Sequence, residues 1–241
     1  MLHRVHPAPV ESLDSDATGS RDRLLEWYTP PCGPWLRINL VVSLSGSAAG
    51  TDGTSNTLTS AVDRRILGVI RELSDVVLVG AQSVRAEGYQ VPKRTRLAIV
   101  TSKGDFSGHR FSPDATSRIT VVCPPSAAAR VRAELVGAEI LEVETESGHI
   151  PPAAIVAVLR GAGYSSIVCE GGPSLASSLL AASLVDEVCL TTSPVLRDSS
   201  PAAFSATGLG EHPLELRQLL IDDASFVFAR WQSRVAPATG R

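Results

Sequence analysis

Glu170, Gly171 and Gly172 follow the β-branched run Ile167-Val168-Cys169 and precede Pro173, Ser174 and an apolar stretch from Leu175 to Leu184. That order reads as strand, tight turn and helix N-terminus. Glycine lets a ligand phosphate approach the backbone, because it has no Cβ in the way. The start of the helix offers free N–H groups and a partial positive charge. Pro173 suits the first helical turn and Ser174 can cap it. Glu170 places a carboxylate at the carboxyl end of a buried strand, where open α/β sheets bind ligands. Such a carboxylate can hold a substrate, assist a proton transfer or cap the adjacent helix turn.

Two further strand ends carry ligand-type residues. Gly80-Ala81-Gln82-Ser83-Val84-Arg85 follows Val79. Gly80 would let a dinucleotide lie across the strand end, and Ser83 can donate to a phosphate or an amide. Thr101-Ser102-Lys103-Gly104 follows Val100. Two hydroxyls and an ammonium in one turn suit the 2′-phosphate of NADP, or simply a solvated turn. No G-x-G-x-x-G follows a strand, and no G-x-S-x-G elbow occurs. His3, His6, His109, His149 and His212 fall in loops or the N-terminal arm and read as surface residues. The lack of an evident nucleophile, base or metal cluster points to a cofactor as the carrier of the chemistry.

The elements that must position these residues follow from periodicity. Residues 1–33 are rich in Pro, Ser, Asp and Gly and read as an irregular arm with one docked helix near Arg23 to Tyr28. Residues 34–241 read as a single folded domain. Strands are expected at 36–44, 75–80, 97–101, 119–123, 139–143, 167–169, 186–192 and 224–231. Helices are expected from Ser60 or Ala61 to Leu73, from a Ser126 cap to Val136, from Pro151 to Gly161, and after Gly172. Residues 45–60 read as a long polar loop, and 195–215 as another. Strand and helix alternate, so the class is α/β with a largely parallel sheet covered on both faces. The closing strand pair has no helix between its members, which suggests an antiparallel edge.

Composition excludes several classes. With 44% hydrophobic and 20% charged residues, the 241-residue chain is an ordinary globular protein large enough to fold without staples. A net charge of -3 gives no general attraction to nucleic acid or anionic membranes. No run is apolar enough to span a bilayer, and the N-terminus lacks a signal-peptide h-region. Cys32, Cys123, Cys169 and Cys189 show no C-x-x-C spacing. They read as buried free thiols of a cytoplasmic protein, and no metal set is expected.

Five blocks together resemble a known family. They are Asn39 to Gly46; Gly53 to Ser60 with Asp63-Arg64; Arg71 to Gly80 with Ser83 to Glu87; Glu170 to Leu175; and Leu184 to Glu187 leading to Ser193-Pro194-Val195-Leu196. In order and spacing the chain, over about residues 35–232, is similar to the pyrimidine reductase domain of riboflavin biosynthesis. The resemblance implies a dihydrofolate-reductase-like three-layer fold and NADPH as hydride donor. It implies a phosphoribosylamino-pyrimidine whose ribosyl group is reduced to ribityl. It further implies a homodimer. By position, Thr57, Gly80, Ser83, Val84, Thr101, Ser102, Lys103 and Gly171 through Leu175 (with Gly172, Pro173 and Ser174), on to Ser178, would line the cofactor. Asn39, Ser43, Ser55, Arg71, Glu87, Arg94 and Glu170 would face the substrate, with Glu170 the catalytic candidate. Arg71 and Arg94 are the cations for a sugar phosphate.

Two blocks depart from the family pattern. Ser43-Leu44-Ser45-Gly46-Ser47 stands where the family has S-L-D-G followed by Lys or Arg. Glu87-Gly88-Tyr89 stands where it has Asp-Asp-Pro or Asp-Asn-Pro. Both fall in the substrate half. Two alternatives follow: the same fold and cofactor with another substrate, such as dihydrofolate or another pterin, or a non-catalytic NADPH-binding protein.

Overall fold

The computed structural model describes residues 1–198, 201–204 and 209–234. Its strands are β1 (Leu2–His6), β2 (Glu11–Leu13), β3 (Trp35–Ser43), β4 (Val76–Gly80), β5 (Arg96–Val100), β6 (Ile119–Cys123), β7 (Glu139–Glu142), β8 (Ser166–Cys169), β9 (Glu187–Ser193), β10 (Leu214–Asp222) and β11 (Val227–Ser233). The helices are α1 (Ser20–Tyr28), α2 (Ala61–Glu72), α3 (Ala81–Glu87), α4 (Pro125–Glu134), α5 (Pro152–Gly161) and α6 (Pro173–Ala181). All the strands join one sheet in the order β2-β1-β10-β11-β9-β3-β8-β4-β5-β6-β7. From β9 to β7 every neighbour is parallel, and from β9 outward through β11, β10, β1 and β2 every pair is antiparallel.

The three-layer α/β class expected from the sequence is the one observed. Alternation along the central strands explains it. In β4, Val77 and Val79 belong to one core with Ile66, Val69 and Ile70 of α2, while Val76 and Leu78 belong to the other with Leu159 of α5 and Leu179 of α6. Both faces are apolar, so both must be covered. After β3 the chain steps outward from β4 to β7, then returns to insert β8 between β3 and β4. The carboxyl end of β8 is therefore a point where the winding reverses, the place where such sheets open a ligand crevice.

The antiparallel section is larger than the sequence suggested. The segment 1–33 is not irregular: β1 pairs with β10, β2 pairs with β1, and α1 packs beneath. Of β1 only Leu2 is fully buried, so its strand character comes from pairing with a segment over two hundred residues away and leaves no local alternation. Likewise β10 was expected in part as loop; its buried face alternates but carries Gln218 and Asp222, while Leu219, Leu220 and Ile221 run together, so no apolar alternation marks it in the sequence. The expected 195–215 loop lies partly outside the described residues. Other local readings also change. Residues 81–87 form a helix, α4 is entered at Pro125 without a Ser126 cap, and Cys32 is exposed. Ser174 sits in the first turn of α6, whose N-cap is Gly172. His3 and His6 lie in β1.

A buried ionic network fixes the N-terminal helix to the sheet. Glu187 and Arg37 face each other across the β9–β3 register and form an ion pair at 2% and 3% side-chain exposure. Arg230 on β11 closes on the same carboxylate at 2.6 Å. The two guanidinium groups then donate onward to the carbonyls of Tyr28 and Trp27, at the C-terminal end of α1, where a helix presents negative partial charge. Burial opposes ionisation of Glu187, but Arg37 and Arg230 outweigh it and hold its pKa below the usual range. Replacing Glu187 by Gln strands two buried cations and is expected to cost roughly 3–5 kcal/mol at neutral pH. Because the folded pKa is depressed, the Glu187 contribution is present above the unfolded pKa and lost as pH falls through the folded one. Urea titrations of Glu187→Gln and the parent chain should therefore converge toward acid pH.

Candidate active site

The turn after β8 is shaped by contact with the turn after β4. A Cβ on Gly171 would lie 2.8 Å from Leu175 Cδ2, 3.2 Å from Gly80 N and 3.3 Å from Val79 Cα. The last two are backbone atoms of the neighbouring strand end, so a side chain here would need the two turns to shift by a few tenths of an ångström, and glycine is the residue that lets them pack this closely. The next residue, Gly172, donates its N–H to Ser83 Oγ at 2.8 Å. The two turns are thus held against each other at adjacent strand ends. Neither α3 nor α6 has a side-chain N-cap. A Cβ on Gly80 would meet nothing within 4 Å. Gly80 thus has open space beside it, and α3 and α6 start without side-chain caps at neighbouring strand ends.

Glu170 alternates to the face covered by α2. Its backbone N–H donates to Leu78 O at 3.0 Å, which pins the residue at the strand end. Arg71, in the last turn of α2, reaches it with two hydrogen bonds, Nε to Oε1 at 2.8 Å and Nη2 to Oε2 at 2.6 Å. The carboxylate is 6% exposed and the guanidinium-bearing side chain 25%. Tyr89 completes the cluster. Its hydroxyl donates to Glu170 Oε2 and accepts from Arg71 Nη2 at 2.6 Å. Its ring also lies 5.4 Å from the Arg71 guanidinium. The chain reaches this position because α3 ends at Gly88 in the left-handed region, with φ of 61°. That turn reverses the backbone and sends Tyr89 back toward α2.

The electrostatics follow from crowding. Burial disfavours the charge on Arg71, but Glu170 and Tyr89 outweigh it and keep the guanidinium cationic. Desolvation, reinforced by the Glu170 carboxylate, pushes the Tyr89 phenol well above its usual value, so it remains a proton donor. A second carboxyl, Asp63, lies at the start of α2, where its N–H donates to the Ser60 cap. Burial raises its pKa, and the Glu170 charge raises it further, against a hydrogen bond from Thr191.

Several residues expected at the site do meet. Arg71 touches Glu170, Ser55 Oγ donates to Glu87 Oε2 at 2.7 Å, and Ser83 meets Gly172. Asn39 sits half-buried on β3 just beyond the position paired with Cys169. Pro173, Ser174 and Leu175 form the first turn of α6. Ser102 and Lys103 are exposed after β5. Others are engaged locally or stand apart from the Glu170 cluster. Val84 is fully buried core, and Thr101 is buried with its hydroxyl taken by Gly104 N–H at 3.0 Å. Thr57 Oγ1 is occupied within its own loop, accepting from Thr51 N–H and donating to Asp52. Ser43 Oγ accepts from Ser47 N–H. Arg94 is 73% exposed and lies 3.5 Å from Glu72, apart from the Glu170 cluster. Asp63 and Tyr89 were not among the expected site residues. The Ser60-x-x-Asp63 cap spacing and the bulky residue after Gly88 are the only sequence signals for them.

Among the described residues no cluster of metal-ligating side chains occurs, and no helix is long and apolar enough to cross a membrane. Comparison with known proteins gives a consistent answer. A family model described as the RibD C-terminal domain matches residues 34–223. Riboflavin biosynthesis protein RibD of Bacillus amyloliquefaciens is 25% identical over 187 residues, covering 73% of this chain and 50% of that protein. The chain thus spans about half the length of the bacterial relatives it matches. A 2,5-diamino-6-ribosylamino-4(3H)-pyrimidinone 5′-phosphate reductase from Methanothermobacter thermautotrophicus is 27% identical, over 73% of this chain and 85% of its own. A crystal structure of a pyrimidine reductase-like protein from Corynebacterium diphtheriae shares the fold, with a TM-score of 0.73 at 24% identity over 84% of this chain and 93% of that one. The matched span of 190 residues is well over half of the sequence: this chain belongs to the RibD C-terminal domain family.

Proposed function

We propose that this chain is an NADPH-dependent reductase that converts the ribosyl group of a phosphoribosylamino-pyrimidine to ribityl, a step of riboflavin biosynthesis. The observation that carries the reading is the Arg71–Glu170–Tyr89 cluster at the carboxyl end of β8, beside two glycine turns locked together. Those turns fit a dinucleotide. The open side of Gly80 and the uncapped starts of α3 and α6 suit its phosphates, and Ser102 and Lys103 suit a 2′-phosphate. When bound, NADPH supplies the hydride.

The protein's own groups supply orientation and a proton. Reduction at the ribosyl C1′ adds a hydride to carbon and needs a proton at the neighbouring heteroatom. Glu170, held in one orientation by Arg71 and Tyr89, can accept hydrogen bonds from substrate hydroxyls or an amine. Asp63, buried at the start of α2 with its pKa raised by burial, is a second carboxyl within electrostatic range of Glu170 and the candidate proton reserve. A second reading is favoured by one observation. The Tyr89 ring and hydroxyl already occupy Arg71 and Glu170. A substrate with a different heterocycle, such as a pterin, would meet that phenol.

Oxidation of NADPH with the phosphoribosylamino-pyrimidine, run beside dihydrofolate, separates the two readings, and binding without turnover on either would sink both. Glu170→Gln is expected to lower kcat/KM by roughly a hundredfold or more. Tyr89→Phe keeps the ring but frees Glu170, and should cost about tenfold. Gly80→Ala fits the fold, so its stability should change by less than about 0.5 kcal/mol while the KM for NADPH rises. If Asp63 supplies the proton, turnover falls as pH rises through its raised pKa, and Asp63→Asn removes that limb from the pH profile.

A further inference from the structure

The segment before residue 34 lies outside the matched family domain, yet it walls a cavity of about 670 Å³ against α2 and the 92–95 loop. That is the size of a small-molecule site. The lining is electrostatically unusual for a chain of net charge -3. Five cations, Arg21, Arg65, Arg71, Lys93 and Arg94, share it with two carboxylates, Asp16 and Glu72. Those carboxylates are spread thin. Asp16 takes Arg65, while Glu72 takes Arg21 and lies 3.5 Å from Arg94. Lys93 is exposed and has no carboxylate partner among the described residues. Arg71 both lines the cavity and holds Glu170, so an anion lodged here is one arginine side chain from the reacting cluster. Leu24 and Val69 supply an apolar floor.

We propose that Arg21, brought by the N-terminal segment from outside the matched domain, is an added contact in this cavity for the substrate phosphate that the family resemblance gives to Arg71 and Arg94, and that it sets preference for the phosphorylated form. Lys93 is its partner across the cavity, and Glu72 competes with the phosphate for Arg21. The catalytic part of this inference rests on the proposed reductase function; the anion site does not.

Calorimetry with ribose 5-phosphate, and with ribose as its uncharged control, tests the site without turnover. The sugar phosphate should bind and ribose should not. Arg21→Ala and Lys93→Ala should each weaken binding about tenfold, the worth of one charge-assisted hydrogen bond. Glu72→Gln should tighten it severalfold, a gain that misfolding cannot produce. Unchanged affinity in Arg21→Ala, weaker binding in Glu72→Gln, or no binding to the parent chain would overturn the proposal. In turnover, Arg21→Ala should lose kcat/KM on the phosphorylated pyrimidine and not on its dephosphorylated form. Intact, Arg21-dependent binding with no turnover would fault the reductase reading and leave the anion site standing.

Discussion

The contact between Gly171 and the backbone of Val79 and Gly80 is the constraint on which the site depends. Two parallel strands must end at the same level and their turns must nest. A Cβ at Gly171 would come within 3.2–3.3 Å of the Gly80 and Val79 backbone and would strain this nesting. Nesting brings Gly172 N–H onto Ser83 and leaves the starts of α3 and α6 side by side. It also fixes the height at which Glu170 leaves the sheet, and so the reach required of Arg71. The site is a consequence of strand-end packing before it is a constellation of side chains.

The other face of that constraint is α2. Its apolar stripe, Ile66, Val69 and Ile70, seats it on the sheet, and α1 covers it from outside. The N-terminal helix is in turn held by Arg37 and Arg230 through the carboxylate of Glu187. A charge network at one side of the sheet thus steadies the layer that carries Arg71 and Asp63. The residues before 34 contribute here as structure, although they stand outside the family domain.

The sequence made the central sheet legible because its strands carry apolar residues on both faces and its turns carry glycine or proline. The Glu170-Gly171-Gly172 turn and the Ser60-capped α2 could be read locally for the same reason. The strand character of β1 could not, since only long-range pairing with β10 creates it. Val84 and Thr101 stand next to ligand-type residues in the chain, but the helix period and a turn hydrogen bond direct them inward. Tyr89 was visible only as a departure from a family pattern. Its place against Glu170 depends on the left-handed Gly88, a backbone choice that composition does not reveal. Asp63 stood only within the Asp63-Arg64 block; its burial and the electrostatic influence of Glu170, over a hundred residues later, come from the fold.

The most direct test of the central claim is to follow deuterium carried at the transferable position of the reduced nicotinamide into the product, read by mass spectrometry after incubation of this protein with the phosphoribosylamino-pyrimidine. A ribityl product heavier by a single deuterium at C1′ is expected. An unlabelled product, or substrate recovered unreduced while the dinucleotide is bound, would contradict it.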